Sequence, residues 1–479
     1  MTMNLVKKNI TAVIICSALV YCSCKAPAFV QNSEQKTVPS SYNNSQDTVN
    51  SGTIQWRSFF ADKDLVNLID TALKNNQELL ITLQEIEIAK NDIRARQGKL
   101  LPTVIGGGGI GVDKVGRYTS QGAGDASTEI KPGKEVPEWL TDYRIGAYAN
   151  WEVDIWKKLR NSKQAAVTRW LATKEGKNFV VTNLIAEIAN AYYELLALDN
   201  QLEIVKQTIQ LQQNALDIVR VQKQAARVTE LAVKKFQAEV LNSQSLEFDI
   251  RQKIKEQENE INFLLGRYPQ PIERDKSGFL NLIPQQVHTG IPSQLLKNRP
   301  DIRQAELELT AAQLDVKVAR AEFYPSFEIS SALGFNAFKP DYLVKFPESM
   351  IFSLVGDMAG PLINKNAIKA EFNSANARQL QALYNYERTI LNGYIEVSTE
   401  LSDISNLEQV YNLKTKQVDT LMASVDISNE LFKSARADYF EVLMTQRDAL
   451  ESKLELIETK LHQFNAVTNI YRSLGGGWN

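Results

Sequence analysis

Two long stretches of the chain carry a sustained helical seam. Leu184, Ile188, Ala191, Leu195, Leu198, Leu202, Val205, Ile209, Gln212, Leu216 and Val219 follow one another in alternating steps of four and three, with Gln212 the polar exception. A 3.5-residue repeat held this long specifies a left-handed coiled-coil seam. Similar seams run through Ile404, Leu407, Tyr411, Val418, Leu421, Val425 and Phe432, and through Leu443, Leu450, Leu454, Ile457, Leu461, Phe464 and Tyr471. Both stretches lack proline, and Gly176 and Gly393 are the lone glycines of 155–265 and 362–474. The segment 184–219 alone would be about 54 Å long as a helix. The pattern falters at 224–231 and 435–439, so each stretch is expected to fold back as a helical hairpin. Between the hairpins the period drops to two. Ile145, Ala147, Ala149, Trp151 and Val153 alternate with Gly146, Tyr148, Asn150 and Glu152, and Phe327, Ile329, Leu333 and Phe335 alternate with Glu328, Ser330 and Asn336. The Gly-rich 104–112 and the apolar 350–358 add two more strands. All four segments have 9–11 residues, the length of tilted transmembrane strands. They flank polar loops at 113–142 and 339–349. Tyr118, Trp139, Tyr143, Tyr324, Phe338 and Tyr342 gather near their ends, as interfacial aromatic belts do. Two soluble hairpins packed on the helices are the alternative.

The chain also repeats. Setting Pro102 on Pro325, an offset of 223, brings Glu78 onto Asp301, Ala89 onto Ala312 and Thr103 onto Ser326. Each half then reads helix, strand, loop, strand, helical hairpin. Four strands cannot close a barrel, and an open edge is not tolerated in lipid. Spanning strands must be pooled between copies. Eight would leave an interior filled by side chains, so a conducting pore needs at least three chains.

Composition narrows the chemistry. The 479 residues hold 54 Lys+Arg against 56 Asp+Glu, a net charge of −2. Without residues 1–23 the balance is 52 − 56 = −4. No basic stripe stands out, so nucleic acid is not an expected partner. The histidines are His288 and His462, and all three cysteines lie within the first 24 residues, which leaves no disulfide framework or thiolate zinc site beyond them. The beginning reads as an address. Lys7 and Lys8 precede a 12-residue apolar run, 10–21, too short to span as a helix and laid out like a signal h-region. It ends in Tyr21-Cys22-Ser23-Cys24. A small residue before a cysteine there resembles the bacterial lipoprotein signal, whose cysteine receives a diacylglycerol, and Ser23-Cys24 fits that rule better than Tyr21-Cys22. Cys24 is the expected lipidation site; an ordinary signal peptide that discards its cysteines is the alternative. Residues 25–55, rich in Ser, Asn, Gln and Thr, suit a flexible leash.

Gly106-x-Gly108-x-x-Gly111 matches a dinucleotide fingerprint in letters only. Neither a preceding strand nor a following helix frames it, and it reads as a strand of small residues. His288 lies in the Pro-rich connection without a second ligand nearby, and His462 sits on a coiled-coil helix. No spacing supports a catalytic constellation, a metal site or a cofactor site.

Further motifs recur along the chain. They are Trp56-x-x-Phe59 with Asp62 and Leu65, Ala72-Leu73-x-Asn75-Asn76, Trp151-Glu152-Val153-Asp154-Ile155-Trp156 and Arg299-Pro300-Asp301-Ile302 with Ala305-Glu306. Phe323-Tyr324-Pro325-Ser326, Gly360-Pro361-Leu362 and the closing Tyr471-Arg472-Ser473-Leu474-Gly475-Gly476-Gly477-Trp478 complete the set. On these residues the chain resembles the TolC-like outer-membrane efflux proteins, in particular the lipoprotein (NodT-type) branch that serves resistance-nodulation-division pumps. The resemblance implies an α+β membrane protein. Three copies would form a homotrimer with a 12-stranded outer-membrane β-barrel, four strands per chain, continued by a long periplasmic α-helical coiled-coil barrel. An inner-membrane resistance-nodulation-division transporter would feed it through a periplasmic adaptor (membrane-fusion) protein.

The resemblance also implies roles for particular residues. Hairpin tips dock the adaptor, here Ala226, Arg227, Val228 and Thr229 in the first and Ala435, Arg436 and Ala437 in the second. The family usually has glycine where Ala226 and Ala435 stand. A pore constriction follows the second tip at Phe440, Glu441 and Met444. Glu441 stands on one of the family's acids and Met444 where a second acid is common. Carboxylates facing one narrow axis favour cations, and Met444 weakens that field. Read from the residues alone, Glu441, Arg227 and Arg436 fit ordinary surface charges equally well. The stretch 266–298, with 54–60 and 474–479, would form a belt around the tunnel.

The expected division is a signal peptide at 1–23, a lipidated flexible linker at 24–55, a first repeat at 56–265, an equatorial connection at 266–298, a second repeat at 299–474 and a C-terminal segment at 475–479. The expected function is a passive exit duct for small molecules or drugs in the cell outer membrane, anchored by lipid and without catalysis. The outer duct of a type I protein secretion system and a non-conducting periplasmic scaffold lipoprotein are the alternatives.

Overall fold

The structure, a computed structural model, describes residues 38–42, 48–276, 278–361, 363, 365–434 and 436–478. The expected signal peptide, Cys24 and Ala435 lie outside the described residues. The chain opens with a 3-10 turn (Ser51–Thr53), α1 (Trp56–Phe59), α2 (Lys63–Asn75) and α3 (Gln77–Gly98). Next come β1 (Thr103–Lys114), α4 (Ser120–Ser127), β2 (Glu129–Lys131), β3 (Lys134–Glu135) and β4 (Trp139–Glu152). The first long helical hairpin is α5 (Lys158–Gln224) with α6 (Glu230–Leu264), and the connection ends in α7 (Leu295–Asn298). The second half holds α8 (Pro300–Ala321), β5 (Ser326–Ala337), α9 (Pro340–Leu343), β6 (Met350–Ala359), α10 (Asn366–Lys433) and α11 (Tyr439–Ser473).

The two halves match element by element. α3 and α8 begin at 77 and 300 and end at 98 and 321, both 223 apart, and β1 and β5 begin at 103 and 326. After the longer first loop the offset falls to 209, at which α6 and α11, each 35 residues, coincide.

The chain divides into two compact units. One contains Ile88–Trp170 and Leu307–Leu383. It holds a four-stranded antiparallel sheet in the order β1-β4-β5-β6, and a small helical core of Val316, Ala319, Phe323, Phe372 and Ala375. The strands have 12, 14, 12 and 10 residues, so the first three are longer than the 9–11 expected and the fourth falls within that range. The ladder continues past the apolar alternation, pairing Asp113 with Leu140 and Lys114 with Trp139. Hydrogen bonding, indifferent to side-chain polarity, carries the strands beyond their apolar part.

The other unit contains Leu171–Glu306, Tyr384–Asn479 and, before them, Glu34–Glu87. Here the seam on α5 is buried throughout except for half-buried Leu202 and Ile209, and Gln212 is buried with it. The seam on α10 is only half-buried apart from Val425. Phe59 stacks on Tyr471 at 3.9 Å, and Tyr193 on Phe464 at 4.5 Å. Distant segments meet here: the Tyr471 hydroxyl donates to Ile54 O at 2.6 Å, Trp478 Nε1 to Asn298 O at 3.2 Å, and Ser51 N to His288 O at 2.7 Å.

The flexible linker expected over 24–55 needs correction over its described part. Tyr42 is buried and stacks on Tyr394 at 5.4 Å, Asn50 bridges Thr289, and the Asn50 side chain accepts from Gly52 N at 2.7 Å. Polar composition suggested a leash, but an aromatic anchor and a cap are enough to dock such a segment.

Candidate functional site

The sheet has two chemically distinct faces. Directly paired residues of an antiparallel ladder share a face, so the register sorts every side chain. One face carries Val104, Gly106, Gly108, Ile110 and Val112 of β1, then Tyr143, Ile145, Ala147, Ala149 and Trp151 of β4. It continues with Ile329, Ser331, Leu333 and Phe335 of β5 and Phe352, Leu354, Gly356 and Met358 of β6. This face is apolar almost without interruption, yet it is open: Ile110, Phe352 and Leu354 are 78%, 76% and 74% exposed. The opposite face is mixed: it carries Asp113, Asp142, Arg144, Asn150, Ser330, Asn336, Ser353 and glycines alongside Ile105, Leu140, Tyr148, Ile351 and Val355. At one end it bears a cross-strand row of acids, Glu152–Glu328–Asp357. Gly146 pairs with Gly334 there, and a Cβ on Gly146 would come within 2.7 Å of Leu333 O, so a side chain cannot be accommodated. Among the described residues β1 and β6 each pair on one side only.

Three of the sequence motifs converge where strands meet helices. The Trp151 indole donates to Leu100 O at 3.0 Å and that of Trp156 to Pro325 O at 2.8 Å, while Trp156 stacks on Tyr324 at 4.7 Å. A Cβ on Gly360 would touch Pro325 at 3.0 Å. The Asp154 carboxylate accepts from Leu159 N and Arg160 N, both at 2.9 Å, and so caps α5. Burial opposes its charge, but these bonds and the Arg160 guanidinium hold it below the ordinary carboxylate range.

The Arg299 motif is a buried node whose role the sequence did not reveal. Its guanidinium donates to both Asp301 oxygens at 3.0 and 2.7 Å, to Glu396 at 2.6 Å and to Ser473 O at 3.0 Å. Burial opposes the charge; Asp301 and Glu396 more than offset it and raise its proton affinity. A Cβ on Gly393 would meet Arg299 Nε at 3.2 Å, which explains the lone glycine of α10. Pairs of a sequence glycine with a distant arginine carry no local signal.

The tips show the local chemistry that ends both hairpins. Arg227 N donates to Gln222 O and Ala226 N to Lys223 O, both at 2.9 Å, closing α5 in a Schellman motif. Arg436 N makes the equivalent bond to Leu431 O at 2.8 Å. Ala226 adopts a left-handed φ of 56°, the conformation glycine favours. Thr229 occupies the N-cap of α6 without a side-chain cap bond, whereas Asp438 at the second tip accepts from Phe440 N at 2.5 Å and Glu441 N at 3.3 Å.

Arg227, Thr229 and Arg436 are exposed, and Val228 and Ala437 are half-buried. Val442 is buried with Leu216, Val219, Val233 and Phe236, and Val228, Phe432, Tyr439 and Leu443 pack against the same cluster. The two tips therefore share one small core. Phe440 is 57% exposed, Glu441 is exposed and Met444 is half-buried, all within the first turns of α11. Among the described residues no cluster of His, Cys, Asp or Glu could hold a metal ion, and no helix is long and apolar enough to cross a membrane.

Comparison with known proteins agrees with this geometry. The pyoverdine export outer membrane protein OpmQ of Pseudomonas aeruginosa is 26% identical over 425 residues, 88% of this chain and 87% of its own. The cation efflux system protein CusC of Escherichia coli is 25% identical, covering 88% of each chain. The structure of the open state of the Neisseria gonorrhoeae MtrE outer membrane channel superposes with a TM-score of 0.82 at 20% identity, covering 95% of this chain and 99% of MtrE. The sequence pattern of the outer membrane efflux protein family matches residues 68–267 and 291–476, and the chain belongs to that family.

Proposed function

We propose that this chain is the passive outer-membrane exit duct of a tripartite efflux pump. Three copies pool their four strands into one twelve-stranded barrel, with the apolar face toward lipid and the polar face toward a water-filled lumen. The carrying observation is the sheet: one face is almost wholly apolar and exposed, the other holds the charged and most of the polar residues, and among the described residues both edges are open. Exposed apolar residues at heptad spacing on the helices supply seams for neighbouring copies, as at Leu211 and Ile218, Leu241 and Phe248, and Leu413 and Ile427.

Energy and cargo choice belong to an inner-membrane transporter and a periplasmic adaptor, the latter docking at the tips around Ala226–Thr229 and 435–437. Phe440, Glu441 and Met444 form the constriction. Cys24 carries a lipid anchor. The cargo is small solutes: relatives at 26% and 25% identity are named for pyoverdine export and for cation efflux.

Planar-bilayer recording of the purified protein tests the reading. Channels that prefer cations are expected, and Glu441→Gln should lower that preference. A protein that forms no channels is a scaffold, and the duct reading then fails.

A further inference from the structure

The polar exception in the first seam has two companions. Gln212 lies on α5 between Ile209 and Leu216, Ser243 on α6 between Val240 and Leu246, and Gln446 on α11 between Leu443 and Leu450. Ile209, Leu246 and Leu450 belong to one apolar cluster, built with Leu198, Val205 and Ile250. Leu216, Val240 and Leu443 belong to a second, built with Val219, Phe236 and Val442. On all three helices the polar residue falls between the same two clusters. All three are buried, at 1%, 1% and 8% exposure. Both polar atoms of the Gln212 side chain, the Ser243 hydroxyl and the Gln446 carbonyl oxygen have no hydrogen-bond partner in the structure.

Such a layer is a break in cohesion. It removes apolar contact at one level of an otherwise continuous core, and it strips amide and hydroxyl dipoles of water without replacing their bonds. None of these four atoms holds a bond that favours one packing of the layer over another, so it is a place where two arrangements can lie close in energy. The block beyond it is small: the cluster around Phe236 and Val442, with both tips.

We propose that Gln212, Ser243 and Gln446 form a hinge layer, at which the tip-proximal block of both hairpins opens and recloses as a unit separate from the rest of the helical seam. The inference does not rest on the conduction reading; it adds a moving part to the tips. A merely frayed helix end would loosen gradually toward its tip, whereas a hinge layer places a step at one level.

Hydrogen exchange on the intact full-length protein in nanodiscs distinguishes these. Amides of 213–240 and 432–445 should exchange at least tenfold faster than those of 184–209 and 450–470, with the step at the layer. In Gln212→Leu/Ser243→Ala/Gln446→Leu the step should fall below threefold while the 184–209 amides stay unchanged. A graded profile in the wild type, or a step that survives the apolar replacement, overturns the proposal. If the triple variant does not fold, the wild-type profile and Gln446→Leu alone are judged by the same two criteria.

Discussion

At the scale of single residues, two positions hold unfavourable states that a substitution can relieve. Ala226 sits at a φ of 56°, where a Cβ crowds the following carbonyl and costs about 1–2 kcal/mol. Ala226→Gly removes that crowding at the price of some extra freedom in the unfolded chain. The net expectation is about 1 kcal/mol of local stabilisation, read as roughly fivefold slower amide exchange across the first tip. Glu400 presents an electrostatic case. Burial first, then repulsion from Asp403, with Arg472 opposing and Glu396 adding to it, pushes its carboxyl from the ordinary 4.5 up to about 7. Between those values the folded chain holds a proton that the unfolded chain has released. Stability therefore falls as pH rises through that window. Glu400→Gln is expected to stabilise the protein by about 1 kcal/mol at pH 8 after solvent screening, and hardly at all at pH 5. Melting temperatures of both proteins at the two pH values check this. A variant that melts earlier at pH 8 would show that the carboxylate has a favourable partner.

At the scale of elements, what the sequence made legible follows the range of the interactions involved. The helical hairpins were readable because the period of 3.5 is written locally and no proline or glycine cluster contradicts it over 158–224 and 366–433. The repeat was readable for the same reason: the ends of α3 and α8 keep one offset. The strand ends were not, because Trp139–Asp142 pair through the backbone after the apolar alternation has stopped. α4 escaped notice as well. It is a short polar helix started by the Thr119 side chain on Gly122 N, and such a cap gives little signal among small residues. Long-range nodes were out of reach altogether. Nothing near Arg299 announces Glu396 or the Ser473 carbonyl, and nothing near Gly393 announces Arg299. The tips fall between these cases. Their turns were placed by the failing seam, whereas the shared cluster of Val442 with Phe236 needed the fold.

At the scale of the whole molecule, one property organises the rest: a sheet whose apolar face is left uncovered by the described residues of its own chain. In water such a face would be a liability of the kind monomers avoid. In a bilayer it is the favourable surface, and the open edges then require neighbouring copies. The register allows this to be tested with two adjacent residues of β6. Leu354 pairs with Ser331 on the apolar face, and Ser353 pairs with Ala332 on the polar face. Both are exposed in the single chain, so a soluble hairpin would tolerate arginine equally at either. A barrel would not. Arginine toward lipid near mid-depth costs about 2–4 kcal/mol per chain, and three copies multiply that penalty at the assembly step. Leu354→Arg is therefore expected to abolish recovery of the outer-membrane oligomer. Ser353→Arg should leave assembly intact, reduce single-channel conductance and shift selectivity away from cations, since it adds positive charge to the lumen. Membrane fractionation with native gels reads the first outcome and bilayer recording the second. Equal assembly of the two variants would mean that the apolar face meets something other than lipid.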